Sequence, residues 1–335
     1  CSRDWSSDVC SSDLLKEQSQ QLLSDTIINQ RINAAKVFLE AIQNKSILEI
    51  TRTKLNLFEK QYKDTEVLFG MGQKNKIDLL QMKSAYLKTQ VELGTAETMY
   101  QNSLVDFARA LNLKSNEPFL LENESISYVE KKNFTPKSEG EILIKSIAVK
   151  PEIRANDFLV KSLEAESHQN IFNFLPDVSA FAAYTKQTVM NLPQGIQNIN
   201  GSNKSLSYGL NLTWNIWDGG VVGVNQAEIA SRKRTARLEY EKIKMDTAAF
   251  ISKNYADFQN QFKVLENSKN VLQTHEEICQ LSLTEYQSGQ ETALDLISVQ
   301  NELFIAQIDL VKTRVNIDLA WLNLQAAAGE LPSVL

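Results

Sequence analysis

The sequence predicts a mainly α-helical protein with a small β part, and three observations support this fold class. Only 12 glycines and 6 prolines occur in 335 residues, so helix breakers are scarce. Long apolar stripes follow the helical period and are repeated within the chain. One segment, 176–220, breaks the helical pattern, and within it residues 207–217 alternate apolar and polar residues, as a β-strand does.

The long helices belong to an internal repeat with an offset of 217 residues, at which Gly72 and Asp78 match Gly289 and Asp295. After each turn, apolar or small residues recur at alternating steps of three and four, which is typical of a coiled-coil seam. The first seam is Leu79, Met82, Tyr86, Thr89, Leu93, Ala96, Tyr100, Ser103, Phe107 and Ala110. The second is Leu296, Val299, Leu303, Ala306, Leu310, Thr313, Ile317, Ala320, Leu324 and Ala327.

Each copy of the repeat is therefore predicted to form a helical hairpin with a short turn, at 70–76 and at 287–292. Gly72 and Gly289 are expected to supply the positive φ that ends the first helix of each hairpin. A helix over about 221–286 would be on the order of 100 Å long. Such a helix needs lateral neighbours, as in a long coiled coil or a helical barrel.

Segment 176–220 is predicted to form a β-hairpin. Its second strand, expected over 207–217, has apolar residues at every other position: Tyr208, Leu210, Leu212, Trp214 and Ile216. Two explanations remain open at this point. The strand belongs either to a soluble antiparallel sheet or to a transmembrane barrel with lipid outside. Because one hairpin cannot close a barrel, the second explanation requires oligomerisation.

Composition and motifs exclude several classes of function. The 35 basic and 41 acidic residues give a net charge of −6, which argues against nucleic-acid binding. Two histidines and three cysteines make a His/Cys metal site improbable. No P-loop, G-x-S-x-G or H-E-x-x-H motif is present. We therefore expect no enzyme activity, no metal and no cofactor.

The first residues differ in character from the rest. Segment 1–14 is rich in Ser and Asp, and it resembles a translated sequencing-adapter artefact more than the start of a mature lipoprotein. No signal peptide is recognisable there. We expect that the true N-terminal part is missing and that the chain is an N-terminally truncated fragment.

Three further motifs occur in a characteristic order. KPEIRA at 150–155 opens a helix, LPDVS at 175–179 opens a strand, and LTWNIWDGG at 212–220 leads from a strand into a long helix. Together with the repeated hairpin, this order resembles the TolC-type outer-membrane efflux protein family over about 24–331. The resemblance implies long antiparallel coiled-coil hairpins that form a periplasmic tunnel, plus one β-hairpin contributing to a trimeric transmembrane β-barrel.

The resemblance also assigns the parts of the chain. The expected segments are 1–14 as artefact, 15–113 as first-repeat helical hairpin of the tunnel, 114–150 as equatorial region, 151–175 as helix leading to the barrel, 176–220 as barrel β-hairpin, and 221–331 as second-repeat helical hairpin.

The function implied by the resemblance is a passive trimeric conduit for efflux or type I secretion. It would cross the outer membrane of a Gram-negative bacterium and extend into the periplasm. The implied partners are two further copies of the chain, outer-membrane lipid, a periplasmic adaptor (membrane-fusion) protein and an inner-membrane transporter of the RND, ABC or MFS type. The alternative is a periplasmic adaptor or structural coiled-coil protein without a barrel. Adaptors, however, normally carry a Gly-rich lipoyl-like domain, which this sequence lacks.

The resemblance further suggests a pore constriction at Asp295 and Ser298. Three copies of Asp295 around an axis would attract cations and repel anions. The simpler alternative is that Asp295 only stabilises the start of its helix.

Closure of the tip is expected to involve Asp78, Tyr286 and Glu291. Because Glu291 stands where the family has an arginine, Lys74 or Lys76 is considered as a replacement cation. The alternative for these charges is an ordinary exposed surface. Contact with the adaptor is expected at the tip turns: Gly70, Gly72, Gln73, Gly289 and Gln290. The lipid-facing strand residues are expected to be Tyr208, Leu210, Leu212, Trp214 and Ile216.

Overall fold

The structure is a computed structural model that describes residues 11–113, 138–172, 175–188 and 202–329. Within these ranges the predicted mainly helical fold with a small β part is confirmed. The elements are α1 (Ser11–Gly70), α2 (Lys76–Ala110), α3 (Glu139–Val149), α4 (Pro151–Phe172), β1 (Asp177–Thr188), β2 (Ser202–Thr213), α5 (Val221–Ser288) and α6 (Ala293–Ala327). Helix α1 begins inside the segment 1–14, and most of the expected equatorial region lies outside the described residues.

The chain divides into two compact units. One comprises Cys1–Ser19 and Ala155–Glu241, and the other comprises Gln20–Arg154 and Lys242–Leu335. We call them the β unit and the helical unit.

The core of the helical unit is a series of apolar layers between the helices. Helices α5 and α6 bury one layer, and α1 and α6 bury another. The first layer contains Phe258, Leu265, Leu310, Ile317, Ala320 and Leu324. The second contains Ala35, Leu39, Val315 and Leu322. The predicted seams supply many of these residues, and Met82, Thr89, Ala96 and Ser103 of the α2 seam are also buried. The coiled-coil periodicity therefore identified the packed faces correctly.

Helix α3 is attached to the end of α6 by a close backbone approach. Ser138 caps α3 by accepting a 3.4 Å hydrogen bond from the backbone N–H of Glu141. The buried Ser146 hydroxyl donates to the carbonyl of Ala327 at 2.5 Å. Just beyond α6, Gly329 has φ +66°, and a Cβ there would lie 2.9 Å from the Cα of Lys150. Only glycine meets both conditions without strain.

The β unit contains an antiparallel hairpin whose register separates two faces. Val178 pairs with Leu212, Ala180 with Leu210, Ala182 with Tyr208, and Tyr184 with Leu206, so one face is apolar over these four pairs. The next pair on this face, Lys186 with Lys204, is charged. The opposite face carries small and polar residues, with one aromatic exception. Phe181 pairs with Gly209, and its ring crosses close to the glycine backbone. A Cβ atom on residue 209 would lie only 2.9 Å from the ring carbons of Phe181.

The predicted extent of the second strand is wrong at both ends. The strand begins at Ser202 and ends at Thr213, so Trp214 and Ile216 lie beyond it. Pairing stops at Asp177, because the preceding Pro176 has no N–H to continue the ladder. Tyr208, Leu210 and Leu212 do lie in the strand, and their side chains are exposed.

A two-glycine turn leads from the strand to α5. Gly219 and Gly220 have φ values of +72° and +88°. The Asp218 carboxylate accepts hydrogen bonds from the backbone N–H groups of Val222 at 2.7 Å and Gly220 at 2.8 Å. These bonds lower the pKa of Asp218, because they favour its charged form. The DGG sequence thus starts the helix by its backbone chemistry.

Within the β unit, α4 and α5 are joined by polar contacts. The Glu164 carboxylate lies 3.0 Å from the Lys233 ammonium and 2.8 Å from the Arg237 guanidinium. The hydrogen bond from Lys233, together with the nearby positive charges, lowers the pKa of Glu164. The side-chain amide of Asn170 donates to Val222 at 3.1 Å and to Gln226 at 3.0 Å. These polar contacts accompany buried apolar residues of the same helices, among them Leu163 and Ile229.

None of the helices in the described part of the chain contains a stretch long and apolar enough to cross a membrane.

Candidate functional site: hairpin tips and β-hairpin

The two hairpin turns of the helical unit have the same backbone geometry. Gly72 and Gly289 have φ values of +72° and +81°, which confirms the predicted left-handed helix ends. In the first turn the N–H of Gln73 donates to the carbonyl of Leu68 at 2.9 Å. In the second turn the N–H of Gln290 donates to the carbonyl of Glu285 at 2.9 Å. Both turns are Schellman motifs, so the internal repeat extends to backbone hydrogen bonds.

The helix that leaves each turn is capped at the equivalent position. The Asn75 side-chain oxygen accepts from the backbone N–H of Asp78 at 2.8 Å. The Thr292 hydroxyl oxygen accepts from the backbone N–H of Asp295 at 3.3 Å. Neither capping residue was predicted from the sequence, although each stands three positions before the repeated aspartate, which is the spacing of an N-cap.

Side chains from all four long helices converge next to the turns. Their buried cluster consists of Phe58, Met82, Tyr286, Ala293, Leu296 and Ile297. The rings of Tyr62 and Tyr86 stack beside it with centroids 6.0 Å apart. We call this group the tip cluster. It joins the first hairpin to the second, so a movement of one hairpin relative to the other must disrupt it.

One cation of the first turn, Lys74, contacts the second hairpin. The Lys74 ammonium lies 3.8 Å from the centroid of the Tyr286 ring and 3.4 Å from the Tyr286 carbonyl oxygen. Two interactions favour the ammonium at this position. The face of the Tyr286 ring is electron-rich, and the C-terminus of α5 is the negative end of the helix dipole. Of the two lysines considered from the sequence, the structure places Lys74 against Tyr286.

The other residues expected to close the tip have different neighbours. The Glu291 carboxylate accepts a short hydrogen bond from the Ser282 hydroxyl of its own hairpin. Asp78 is half-buried, and within the described residues no hydrogen bond or ion pair joins its carboxylate to Tyr286 or Glu291. The Tyr286 hydroxyl is buried and, among the groups described, has no hydrogen-bond partner. The tyrosine therefore acts here through its ring and backbone carbonyl.

Asp295 and Ser298 are both exposed at the start of α6. The Asp295 carboxylate accepts from the Thr292 hydroxyl at 2.6 Å. This bond matches the simpler alternative of helix capping. It also leaves the carboxylate at the surface, where a charge can act on passing ions. The expected adaptor-contact residues, Gly70, Gly72, Gln73, Gly289 and Gln290, are all exposed as well.

The apolar face of the β-hairpin is the second candidate surface. Tyr208 is 81% exposed and Leu210 is 79% exposed, while Val178 on the paired strand is 64% exposed. A row of large exposed apolar side chains is unfavourable in water and marks a surface that another apolar phase covers.

Little in the described part of the chain suggests catalysis. No group of three or more His, Cys, Asp or Glu residues within it is placed to hold a metal ion. Burial raises the pKa of the Cys279 thiol, which disfavours the reactive thiolate. The chemistry available at the tips is therefore that of charge and packing.

Comparison with protein families gives one match. The model of a family described as outer membrane efflux protein matches residues 143–330. No curated protein sequence matches the chain.

Three solved structures with the same fold are distant in sequence. The channel CusC is 14% identical, with a TM-score of 0.82, and the match covers 96% of this chain and 72% of CusC. The CmeC outer membrane channel of Campylobacter jejuni is 14% identical, with a TM-score of 0.78 and coverage of 96% and 67%. The MtrE outer membrane channel of Neisseria gonorrhoeae, solved in its open state, is 15% identical, with a TM-score of 0.77 and coverage of 96% and 71%. At these identities the likeness establishes the fold.

Proposed function

The chain belongs to the outer membrane efflux protein family, a family of outer-membrane channels, and we propose that it is a subunit of a passive trimeric conduit. In this proposal three copies form a tunnel of long helices continuous with a shared barrel of β-hairpins. Energy and choice of cargo come from an inner-membrane transporter, which a periplasmic adaptor links to the tunnel tip.

The observation that carries the proposal is the two-faced β-hairpin in a chain of this family. Its apolar face suits lipid, and its other face, with Ser179, Asn211 and Thr185, suits a water-filled lumen. Both outer edges of the two-stranded sheet are unpaired among the described residues. Because open edges are not tolerated in a bilayer, insertion requires strands from further copies.

We further propose that the segments have the roles expected from the resemblance. The hairpins 15–113 and 221–331 form the tunnel, 114–150 the equatorial region, and 151–175 the helix that leads to the barrel. The β-hairpin lies within 176–220. The lipid-facing residues are Tyr208, Leu210 and Leu212, with Trp214 and Ile216 following at the edge of the membrane, where aromatic residues are favoured.

At the tip, the proposed closed state is held by the tip cluster and by Lys74 against Tyr286. Asp295 and Ser298 of three copies surround the mouth, and the exposed carboxylates favour cations there. Asp78 and Glu291 add charge near the same level. The adaptor contacts the two Schellman turns. Because their backbone geometry is similar, each copy offers the adaptor two comparable docking points.

A pair of lysine substitutions on adjacent strand positions tests the proposal. Leu210→Lys places a charge on the apolar face, and Asn211→Lys places the same charge on the polar face as a matched control. A lysine on the lipid face of a barrel costs about 2–4 kcal/mol near the bilayer midplane. We expect Leu210→Lys to remove the heat-sensitive trimer from detergent-extracted outer membranes, while Asn211→Lys retains it.

Two outcomes would contradict the proposal. Equal tolerance of the two lysines would mean that neither face contacts lipid. Recovery of the unaltered chain in the periplasmic soluble fraction would favour the alternative, a periplasmic adaptor or structural coiled coil without a barrel.

A further inference from the structure

Two lysines stand opposite each other in the β-hairpin. Between residues 178 and 217 the sequence contains Lys186 and Lys204 but no aspartate, glutamate, arginine or histidine. The register of the sheet pairs these two lysines directly, so their Cα atoms are about 4.5–5.5 Å apart. Both side chains are exposed, and in the part of the chain that the structure describes no carboxylate forms an ion pair with either.

This lysine pair is well placed to hold an anion from outside the chain. Like charges placed directly opposite each other destabilise a strand pair. An acidic neighbour would relieve the repulsion, but the hairpin has none between residues 178 and 217. A bound anion would neutralise both ammonium groups at once, and lysine is a common point-charge ligand of phosphate groups.

The lysine pair also continues the apolar face of the hairpin. Residues two apart on a strand share a face, and the pair next to the lysines on this face is Tyr184 with Leu206. Tyr184 is 63% exposed and Leu206 is 67% exposed, so apolar surface lies directly beside the ammonium groups. An anion bound here therefore has both charge and apolar surface to contact, which favours an amphiphilic anion over a small inorganic one.

The position of the pair along the hairpin suits a lipid headgroup. The helices α4 and α5 join the hairpin at its other end, near Asp177 and Thr213. Lys204 is eight residues from Leu212, which is about 26 Å along an extended strand. At the strand tilt of about 35–45° in a membrane barrel this is about 20 Å across the bilayer, near the roughly 25 Å height of the apolar band. The lysine stems then lie along the lipid tails while the ammonium groups reach the headgroups.

We propose that Lys186 and Lys204 together bind the phosphate group of a membrane lipid at the end of the β-hairpin remote from the helices. The inference rests on the proposed function, which places the apolar face of the hairpin in the bilayer. Two ammonium groups balance a phosphomonoester, with a charge of about −1.5 to −2 at pH 7, better than a singly charged phosphodiester. The ligand class is therefore a lipid whose headgroup carries a phosphomonoester, and each copy provides one site.

Lipid titration of the detergent-extracted trimer, followed by native mass spectrometry, tests the site. The probes are phosphatidic acid, a phosphomonoester lipid, phosphatidylglycerol, a phosphodiester lipid, and zwitterionic phosphatidylcholine. Each lysine at an anionic lipid surface strengthens binding roughly five-fold. Lys186→Gln with Lys204→Gln should therefore weaken binding of phosphatidic acid about 25-fold and leave phosphatidylcholine binding unchanged. Lys83→Gln with Lys88→Gln removes two exposed charges from α2 and should have no effect on either lipid.

A transposition variant separates the position of the lysines from the net charge. It combines Thr185→Lys and Lys186→Thr with Lys204→Ser and Ser205→Lys, so the composition is unchanged. Because Thr185 pairs with Ser205, the new lysines again stand opposite each other, but on the other face of the hairpin. This variant should lose binding of phosphatidic acid as fully as the double glutamine variant does.

Inorganic phosphate distinguishes a lipid site from a site for a free ion. The ion offers the same charged group without an acyl chain, so it gains nothing from the surface of Tyr184 and Leu206. We expect that inorganic phosphate neither displaces phosphatidic acid nor raises the temperature at which the trimer dissociates. Stabilisation of the trimer by inorganic phosphate that Lys186→Gln with Lys204→Gln abolishes would identify a free-anion site and overturn the lipid assignment.

The remaining outcomes separate failure of the inference from failure of the conduit. Preference for phosphatidic acid over phosphatidylglycerol, lost in both the double glutamine and the transposition variants, supports the lipid site. Trimers that bind the two anionic lipids equally, or that keep their preference in either variant, would overturn the lipid site and leave the proposed conduit intact. Extracted chains that are monomeric before any substitution would overturn the conduit itself.

Discussion

Removing the Lys74 charge should loosen the tip of the molecule. The Lys74→Met variant retains most of the apolar stem of the side chain but loses the ammonium that lies 3.8 Å from the Tyr286 ring. A partly buried cation–π contact contributes about 0.5–2 kcal/mol, and a cation at a helix C-terminus about 0.3–1 kcal/mol. The combined loss is about 1–2 kcal/mol. It corresponds to a roughly 5- to 30-fold shift of the equilibrium toward an arrangement in which the first turn is detached from the second hairpin.

Amide hydrogen exchange over the second turn measures this shift. The exchange of amides from Tyr286 to Glu291 should accelerate by that factor in Lys74→Met. Lys74→Arg should retain the slow exchange, because a guanidinium also packs on an aromatic ring. Lys76→Met is the matched control, since Lys76 is exposed and its charge is not placed against the Tyr286 ring.

The role of the ring can be separated from that of the hydroxyl. Tyr286→Phe should leave exchange unchanged or slower, because the buried hydroxyl lacks a hydrogen-bond partner among the described groups. Tyr286→Leu should speed exchange, and adding Lys74→Met to it should have little further effect. The reasoning is refuted if Lys74→Met exchanges like Lys76→Met, or if the two substitutions add independently.

Three further predictions concern the surrounding structure. Gly329→Ala should cost about 2–5 kcal/mol in unfolding experiments, from left-handed strain plus overpacking against Lys150. Gly289→Ala, with open space around it, should cost only about 1–2 kcal/mol, and equal costs would show that the contact with Lys150 is unimportant. Gly209→Ala should cost less than about 1.5 kcal/mol in heat stability of the trimer, because the exposed Phe181 ring can rotate away, and a complete loss of trimer would contradict this. The pKa of Glu164 is lower in the folded protein than its ordinary value of 4.5. The ionised side chain therefore stabilises the folded protein above about pH 4.5, and this stabilisation is lost as the pH falls through the folded pKa. Thermal unfolding should show a decrease in stability below about pH 4.5 that is absent in Glu164→Gln.

The helices were predictable because their signals are periodic and long. The seam through Met82, Thr89, Ala96 and Ser103 repeats without a slip, and the structure buries those residues. The glycines at 72 and 289 were also predictable, since a helix that ends in a tight turn needs a positive φ. Local rules of this kind depend on neighbours in sequence and not on the rest of the fold.

The contacts at the tip were less accessible to sequence reasoning. Lys74 and Tyr286 are far apart in the chain. The sequence shows that two lysines lie near the first turn, but it does not show which of them reaches the ring. Glu291 contacts Ser282 of its own hairpin, a choice set by the tight turn between them. The end of β2 was misplaced because alternation continues past Thr213, although pairing stops where Pro176 interrupts the opposite strand.

Single-channel recording in a planar lipid bilayer tests the central claim most directly. The purified chain is added at about 0.1 M salt, where charges beyond roughly 10 Å are screened and those in the pore act locally. If the chain forms a conduit, we expect discrete current steps that are selective for cations. Asp295→Asn should reduce the cation selectivity, and Lys74→Met should increase the fraction of time that the channel is open. A bilayer that stays silent although trimers have inserted, or steps that neither substitution alters, would contradict the account.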